Sequence, residues 1–391
     1  MKRRSFLALG GATGLALAMS RIPAARAAVS SAYTGWSATL RGLAEKIGLR
    51  VGTAVTPQDL NTPQYTAILE EQFSAVTPAN EMKWQVVEPQ PGVFDWSGAD
   101  RLVSFAEAHG QRVRGHTLLW HNQLPTWLTT GVANGTISKA QLLSLLEQHI
   151  FTEVGRYQGR IWQWDVANEF FLDANPSGIN PNDFWVSNLG AGVIPQAFQW
   201  AHEADPHALL FYNDYNIAGE DGTNAKSDAV YAWLRQMLEQ GVPIHGVGDQ
   251  GHLDTQFAFS GLLMAEDLQR YASLGLKVAI TEADVRTFVN NATQQVPTDP
   301  LAPFAQAYLF SQMMLAVLAI PQAISFTVWG FVDTDSWVPG TFTGEGYATL
   351  YDVNAQPKLA FYNLLEDLQL AAFGAPDRVQ GSGEPRHRDW R

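Results

Sequence analysis

The stretch WQWDVANEFFLD, residues 162–173, begins as a β-strand and ends in ionisable chemistry. Trp162, Trp164 and Val166 are wide or β-branched side chains suited to a pleated surface, yet the run delivers Asn168 and Glu169 to its C-terminal end. A second apolar run, KVAITE, closes on Glu282 in the same way. Two carboxylates on facing strands are what cleavage of a glycosidic bond needs: one protonates the leaving oxygen, while the other attacks the anomeric carbon or activates a water. Amide side chains bind sugar hydroxyls and indole faces stack on pyranose rings, so the 13 tryptophans bear on the reading too. Competing chemistries leave no signature: there is no Gly-x-Ser-x-Gly elbow, His-Glu-x-x-His pair or phosphate-cradling Gly-Lys-Ser/Thr loop. His116, His121 and His252 copy no zinc-ligand spacing and there is no cysteine, so neither a metal nor another cofactor is expected.

These residues need a scaffold that brings strand ends together. Eight short β-rich runs lie between residues 36 and 370, at 49–55, 73–78, 112–119, 161–168, 209–214, 244–250, 277–282 and 324–330. Most are separated by segments with helical periodicity. In 226–241, for example, Val230, Leu234, Met237 and Leu238 share one face and Gly241 ends the run. Strands alternating with helices imply βαβ units and a parallel sheet. Eight such units predict an α/β fold, a closed (β/α)8 TIM barrel forming a single catalytic domain. An open doubly wound sheet is the alternative, but no Gly-x-Gly-x-x-Gly follows the first strand. The runs finish at Asn80-Glu81, His116, Asn168-Glu169, Asn213-Asp214, Gln250 with His252, Glu282 and Trp329. One polar strand end is commonly a satisfied buried group. Seven of eight ending in amide, carboxylate, imidazole or indole exceeds what folding requires, and in a barrel those ends form the active face.

At this point the chain resembles the glycoside hydrolase family 10 endo-1,4-β-xylanases. The matching stretches are VTPANEMKW (76–84), RGHTLLWHNQLPTWL (114–128), WDVANE (164–169) and FYNDYN (211–216), followed by 224–253, VAITEADVR (278–286), WGFVDTDSW (329–337) and PKLAFYNL (357–364). The resemblance implies a catalytic barrel over 36–370 that hydrolyses β-1,4-xylosidic linkages in xylan through a covalent glycosyl-enzyme intermediate, with retention. It makes Glu169 the acid/base, Glu282 the nucleophile and Asn168 the amide that binds the sugar 2-hydroxyl. His252 would contact the nucleophile and be held by Asp284, while Asn213 and Gln250 would be its other polar neighbours. Asn80, Glu81, Lys83, His116 and Trp120 would bind the glycone, with Trp329 and Trp337 as its aromatic wall. Departures from the family pattern fall at Ala79, Asp249, Ala283 and Thr334-Asp335, where Glu, a large apolar residue, Leu and Lys-Tyr are common. Two other readings stay open: a β-1,4-glucanase or other β-glycanase of the same clan, and a non-catalytic carbohydrate-binding protein on a barrel scaffold.

Composition is consistent with a neutral polymeric substrate. The chain is 46% hydrophobic and 16% charged, with a net charge of -13. Residues 1–27 read as an export signal peptide: Arg3-Arg4 before Ser-Phe-Leu, an apolar stretch, then Ala25-Arg26-Ala27. The arginine pair resembles the twin-arginine type, an ordinary Sec signal being the alternative. Its removal takes away five positive charges (Lys2, Arg3, Arg4, Arg21, Arg26) and no negative ones, moving -13 to -18. So acidic a body argues against nucleic acid or an anionic membrane as partner. Xylan or a related β-1,4-linked polysaccharide is the expected partner, for a monomer in the periplasm or secreted. Residues 373–391, polar and rich in Gly and Pro, are expected to be a disordered tail.

Overall fold

The computed structural model describes residues 38–374, and the expected signal peptide and residues 375–391 lie outside them. Its barrel strands are β1 (Arg50–Val55), β2 (Ala75–Pro78), β3 (Arg112–Leu119), β4 (Gln163–Asn168), β5 (Leu209–Asp214), β6 (Gly246–Asp249), β7 (Lys277–Phe288) and β8 (Ala323–Val328). Each pairs in parallel with the next, and β8 closes on β1 with Gly52 opposite Thr327. The sheet is the closed barrel expected, with helices between its strands. Nearly every strand position is buried, as a sheet covered on both faces requires. Gly115 on β3 has a packing reason: a Cβ there would meet the Trp164 ring of β4 at 2.2 Å.

The helices cover the barrel through apolar faces. Helix Lys139–Arg156 opens with a Ser138–Gln141 capping box and buries Leu142, Leu146, Ile150 and Val154. Each such side chain contributes about 1.5–3 kcal/mol on leaving water. Helix Ala225–Glu239 buries Val230, Leu234 and Met237 as its spacing predicts, and Gly241 follows with φ +77°. Leu238 is half-buried at the edge of that face.

Two boundaries differ from expectation by more than two residues. The seventh run does not stop at Glu282. It continues to Phe288 because residues beyond the barrel find new partners, His252–Asp254 alongside Asp284–Arg286 and Glu345–Gly346 against Thr287–Phe288. The final helix, Leu359–Gly374, runs past 370 and into the segment expected as tail. It buries Phe361, Leu364, Leu365 and Leu368, and no helix breaker intervenes before Gly374 and Pro376. Among the described residues no helix is long and apolar enough to cross a membrane.

Candidate active site

Glu169 follows the last residue of β4 and takes φ +61°, a left-handed conformation costly for a residue with a Cβ. Its N–H still donates to the Asn213 carbonyl of β5 at 3.0 Å, so the kink turns the side chain without breaking the ladder. The carboxylate accepts two hydrogen bonds, from Trp120 Nε1 at 2.8 Å and from Gln250 Nε2 at 2.8 Å. Asn168 is buried beside it, and its Oδ1 accepts from Asn213 Nδ2 at 2.8 Å and Gln250 Nε2 at 3.4 Å. Both contacts occupy the oxygen, which leaves the amide NH2 as the donor toward the cleft that Asn168 lines.

Glu282 sits in a different environment. It is 5% exposed, and its Oε1 accepts from Asn213 Nδ2 at 2.7 Å. Arg114 Nη2 lies 3.4 Å away, His116 Nδ1 4.0 Å and His252 Nε2 3.7 Å. Burial alone would raise its pKa, but His116, His252 and Arg114 outweigh that and hold the carboxyl well below the usual carboxylate range. His252 is in turn 3.0 Å from Asp284, whose other oxygen accepts from Trp337 Nε1 at 2.7 Å. Burial would lower the His252 pKa, yet Asp284 and Glu282 push it up to about 10. The imidazolium is therefore a resident cation beside Glu282.

Two members of this cluster, Arg114 and Asp165, were not anticipated. Arg114 donates to Asp165 and, at 2.8 Å, to the Thr281 carbonyl, while Asp165 also lies 2.8 Å from His116 Nδ1. A signal was present: Arg114 and His116 are two apart on β3, so they share a face, and charged residues inside an otherwise apolar run need partners. His116, Asp165 and Glu282 offer ligand atoms within 4.8 Å of one another, the geometry of a metal site. Here the Arg114 guanidinium already bonds Asp165 and faces Glu282, so a side chain fills the cation's role.

The two carboxylates open into a cleft of about 1030 Å³. Asn80, Lys83, His116, Trp120, Gln250, His252, Trp329 and Trp337 line it, and the Gln250 amide, expected beside Glu282, instead donates to Glu169. Asn213 and Asp284 stand behind, holding the lining groups. The Lys83 ammonium lies 5.0 Å from the Trp120 ring and 5.7 Å from Trp329. Burial brings its pKa down to about 8, against the opposing charges of Glu282, Glu169 and Glu81. Glu81 does not reach the cleft. Its carboxylate accepts from the Asn80 N–H at 3.1 Å and its side chain lines a separate cavity of about 410 Å³ with Gly98 and Arg101. The turn after β2 sends Ala79, Asn80 and Lys83 to one side and Glu81 to the other.

A barrel whose fourth and seventh strands bring two glutamates, one bound by an indole and an amide, the other ringed by cations, to a tryptophan-walled cleft defines a glycoside hydrolase. The chain belongs to glycosyl hydrolase family 10, whose model matches residues 39–367. A beta-1,4-xylanase of Dictyoglomus thermophilum is 38% identical over 331 residues, covering 81% of this chain and 87% of its own. Endo-1,4-beta-xylanase B of Thermotoga neapolitana is 37% identical over 339 residues, covering 86% and 93%. Among solved structures, xylanase 10B from Thermotoga petrophila RKU-1 in complex with xylobiose matches with a TM-score of 0.79 at 35% identity, covering 86% of this chain and 99% of that one.

Proposed function

We propose that the chain is a retaining endo-1,4-β-xylanase in which Glu282 attacks the anomeric carbon and Glu169 serves first as general acid and then as general base. The observation that carries the assignment is the contrast between the two carboxylates. Glu282 is buried among Arg114, His116 and His252 and kept ionised, as a nucleophile must be. Glu169 is half-buried at the cleft edge, where a leaving oxygen can reach it. The named activity of the relatives and the xylobiose in the Thermotoga petrophila complex support xylan as substrate.

In the first step a Glu282 oxygen bonds the anomeric carbon as the glycosidic C–O bond breaks, and the Glu169 proton passes to the departing sugar oxygen. In the second, Glu169 takes a proton from water while the water oxygen replaces the ester, which releases the Glu282 carboxylate. The Asn168 NH2 binds the 2-hydroxyl, a contact that tightens in the transition state. Asn80, Lys83, His116, Trp120, Trp329 and Trp337 bind the glycone, without Glu81. The test follows early products on xylan and on carboxymethyl cellulose by NMR. New reducing ends appear first in the β configuration and xylan is the faster substrate. Early α anomers would remove the mechanism, and faster cleavage of the cellulose derivative would make the chain a β-1,4-glucanase.

The pH dependence has a defined sign. Glu282 has a depressed pKa, so its ionised form persists as pH falls until that low value is reached, and protonation there sets the acid limb of kcat/KM. Asp284 and Glu282 push the His252 pKa up to about 10, so the ring carries its charge through the acid range and helps hold that value down. In His252→Gln the acid limb moves to higher pH. A limb that stays in place would show that His252 does not tune Glu282.

The chain is further proposed to be exported through residues 1–27, with catalysis confined to 36–370. It is proposed to act as a monomer, with no nucleic-acid or membrane partner.

A further inference from the structure

Asp249 lies at the end of β6, a position where a charge has no role in the chemistry above. It is 1% exposed, and Glu220, which lines the cleft, is 7% exposed. Their carboxylates hold the same loop, 215–224, which follows β5. Asp249 Oδ1 accepts the Ile217 N–H at 3.3 Å. Glu220 accepts the N–H groups on either side, Asn216 on Oε1 at 3.1 Å and Ala218 on Oε2 at 2.8 Å. Three consecutive backbone donors thus end on two carboxyl groups within hydrogen-bond reach of each other.

Two ionised carboxylates could not form that bond. Both Glu220 oxygens are filled by N–H donors, which suits a carboxylate, whereas Asp249 Oδ2 is buried with no donor to accept from. A proton on Asp249 cures both faults, because it removes one of two facing charges and turns an orphaned acceptor into an O–H donor to Glu220. The surroundings supply no substitute. The Lys226 ammonium is committed at 2.9 Å to both Asp214 and Asp173, and Asp214 adds negative charge from β5. From helix Gly261–Ser273, Tyr271 donates to the Ile217 carbonyl at 2.7 Å and Arg270 is held by Asp267 at 2.6 Å. From β7, the Thr281 hydroxyl donates to the Asp249 backbone carbonyl at 3.0 Å. Burial first, then the Glu220 charge, keeps the Asp249 carboxyl well above its ordinary range.

We propose that Asp249 and Glu220 share one proton and act as a positioning pair that pins loop 215–224 as a wall of the cleft, a wall that loosens when the proton is lost. Tyr215, Asn216, Glu220, Asp221 and Gly222 of that loop line the cleft, so loosening weakens substrate binding without disturbing Glu169 or Glu282. The inference goes beyond the xylanase reading, and its first test does not depend on it. Carboxyl carbons of the 13C-labelled protein are followed by NMR from roughly pH 4 to pH 9. The Asp249 carbon keeps its protonated shift well beyond the pH at which an ordinary aspartate titrates, and a titration near that ordinary value of about 3.9 would overturn the proposal. The second test is Asp249→Asn, which keeps an NH2 donor for Glu220 but has no proton to lose. Against this variant, the wild-type KM for xylan is about equal wherever the Asp249 carbon keeps its protonated shift and rises roughly fivefold or more in ratio once that carbon has titrated, with the kcat ratio unchanged. Lys83 titrates in both proteins, so the ratio isolates the pair. A flat ratio overturns the proposal, and if Asp249→Asn does not fold, the wild-type titration decides alone.

Discussion

Glu282→Ala is expected to lower kcat by roughly 10⁴-fold or more on xylan and on an activated dinitrophenyl β-xyloside alike. The reason is that no other group can form the bond to the anomeric carbon. Asp165, the other carboxylate of the cluster, is fully buried and held by Arg114 and His116. Removing Glu282 also leaves Arg114, His116 and His252 with one carboxylate fewer among them. Breaking a buried pair of this kind costs on the order of 3–5 kcal/mol, so circular dichroism and a melting curve must accompany the rates. A folded variant that kept a tenth of wild-type activity on either substrate would remove Glu282 from its role.

Glu169→Ala is expected to separate the two substrates. On xylan the leaving group is a sugar hydroxyl that cannot depart without a proton, and kcat falls by roughly 10²–10⁴-fold, the range that general acid catalysis supplies. A dinitrophenolate leaves without help, so the first step on that substrate stays fast. The second step still lacks its base. The glycosyl-enzyme therefore accumulates, and stopped-flow traces show a burst of about one equivalent of dinitrophenol before a slow steady state. Equal losses on both substrates, with no burst, would contradict the assignment. Because Trp120 and Gln250 donate to Glu169, the truncation also leaves two donors without their acceptor, and part of the loss on xylan arises from their displacement.

The barrel was legible because strands and helices alternate with distinct periods, and each βα unit carries its own punctuation. The polar strand ends located the site for the same reason, since a buried ionisable group at an apolar terminus has few structural excuses. What escaped notice lies inside the strands. Arg114 and Asp165 look like interruptions of apolar runs, and only the register that sets His116 opposite Asp165 reveals them as partners. Glu81 illustrates the converse. Its residue type and its neighbours Asn80 and Lys83 suggested a ligand, but the direction of a side chain on a tight turn depends on backbone angles that no periodicity encodes. The continuation of β7 to Phe288 was hidden likewise, because its partners at 252–254 and 345–346 are distant or too short to register as strands.

That continuation divides the two carboxylates by local stability. Residues on both sides of Glu282 are tied to neighbouring chain: Glu282 N–H to the Gln250 carbonyl, Val285 N–H to the Ala348 carbonyl, and the Ala283 carbonyl to Trp329 N–H. Fluctuations that free this segment must open several strands at once, so its amides are expected to be among the slowest to exchange with solvent. Glu169 stands at the last rung of β4, and beyond the buried Phe170 and Phe171 the chain from 172 to 182 carries no helix or strand and is exposed or half-buried, so it is expected to open more readily than the barrel. One carboxylate is thereby a fixed reference point and the other rides on adjustable chain. Insertions or deletions after residue 170 can reshape what approaches the acid/base, and so the range of leaving groups accepted, while the point of covalent attachment stays where it is.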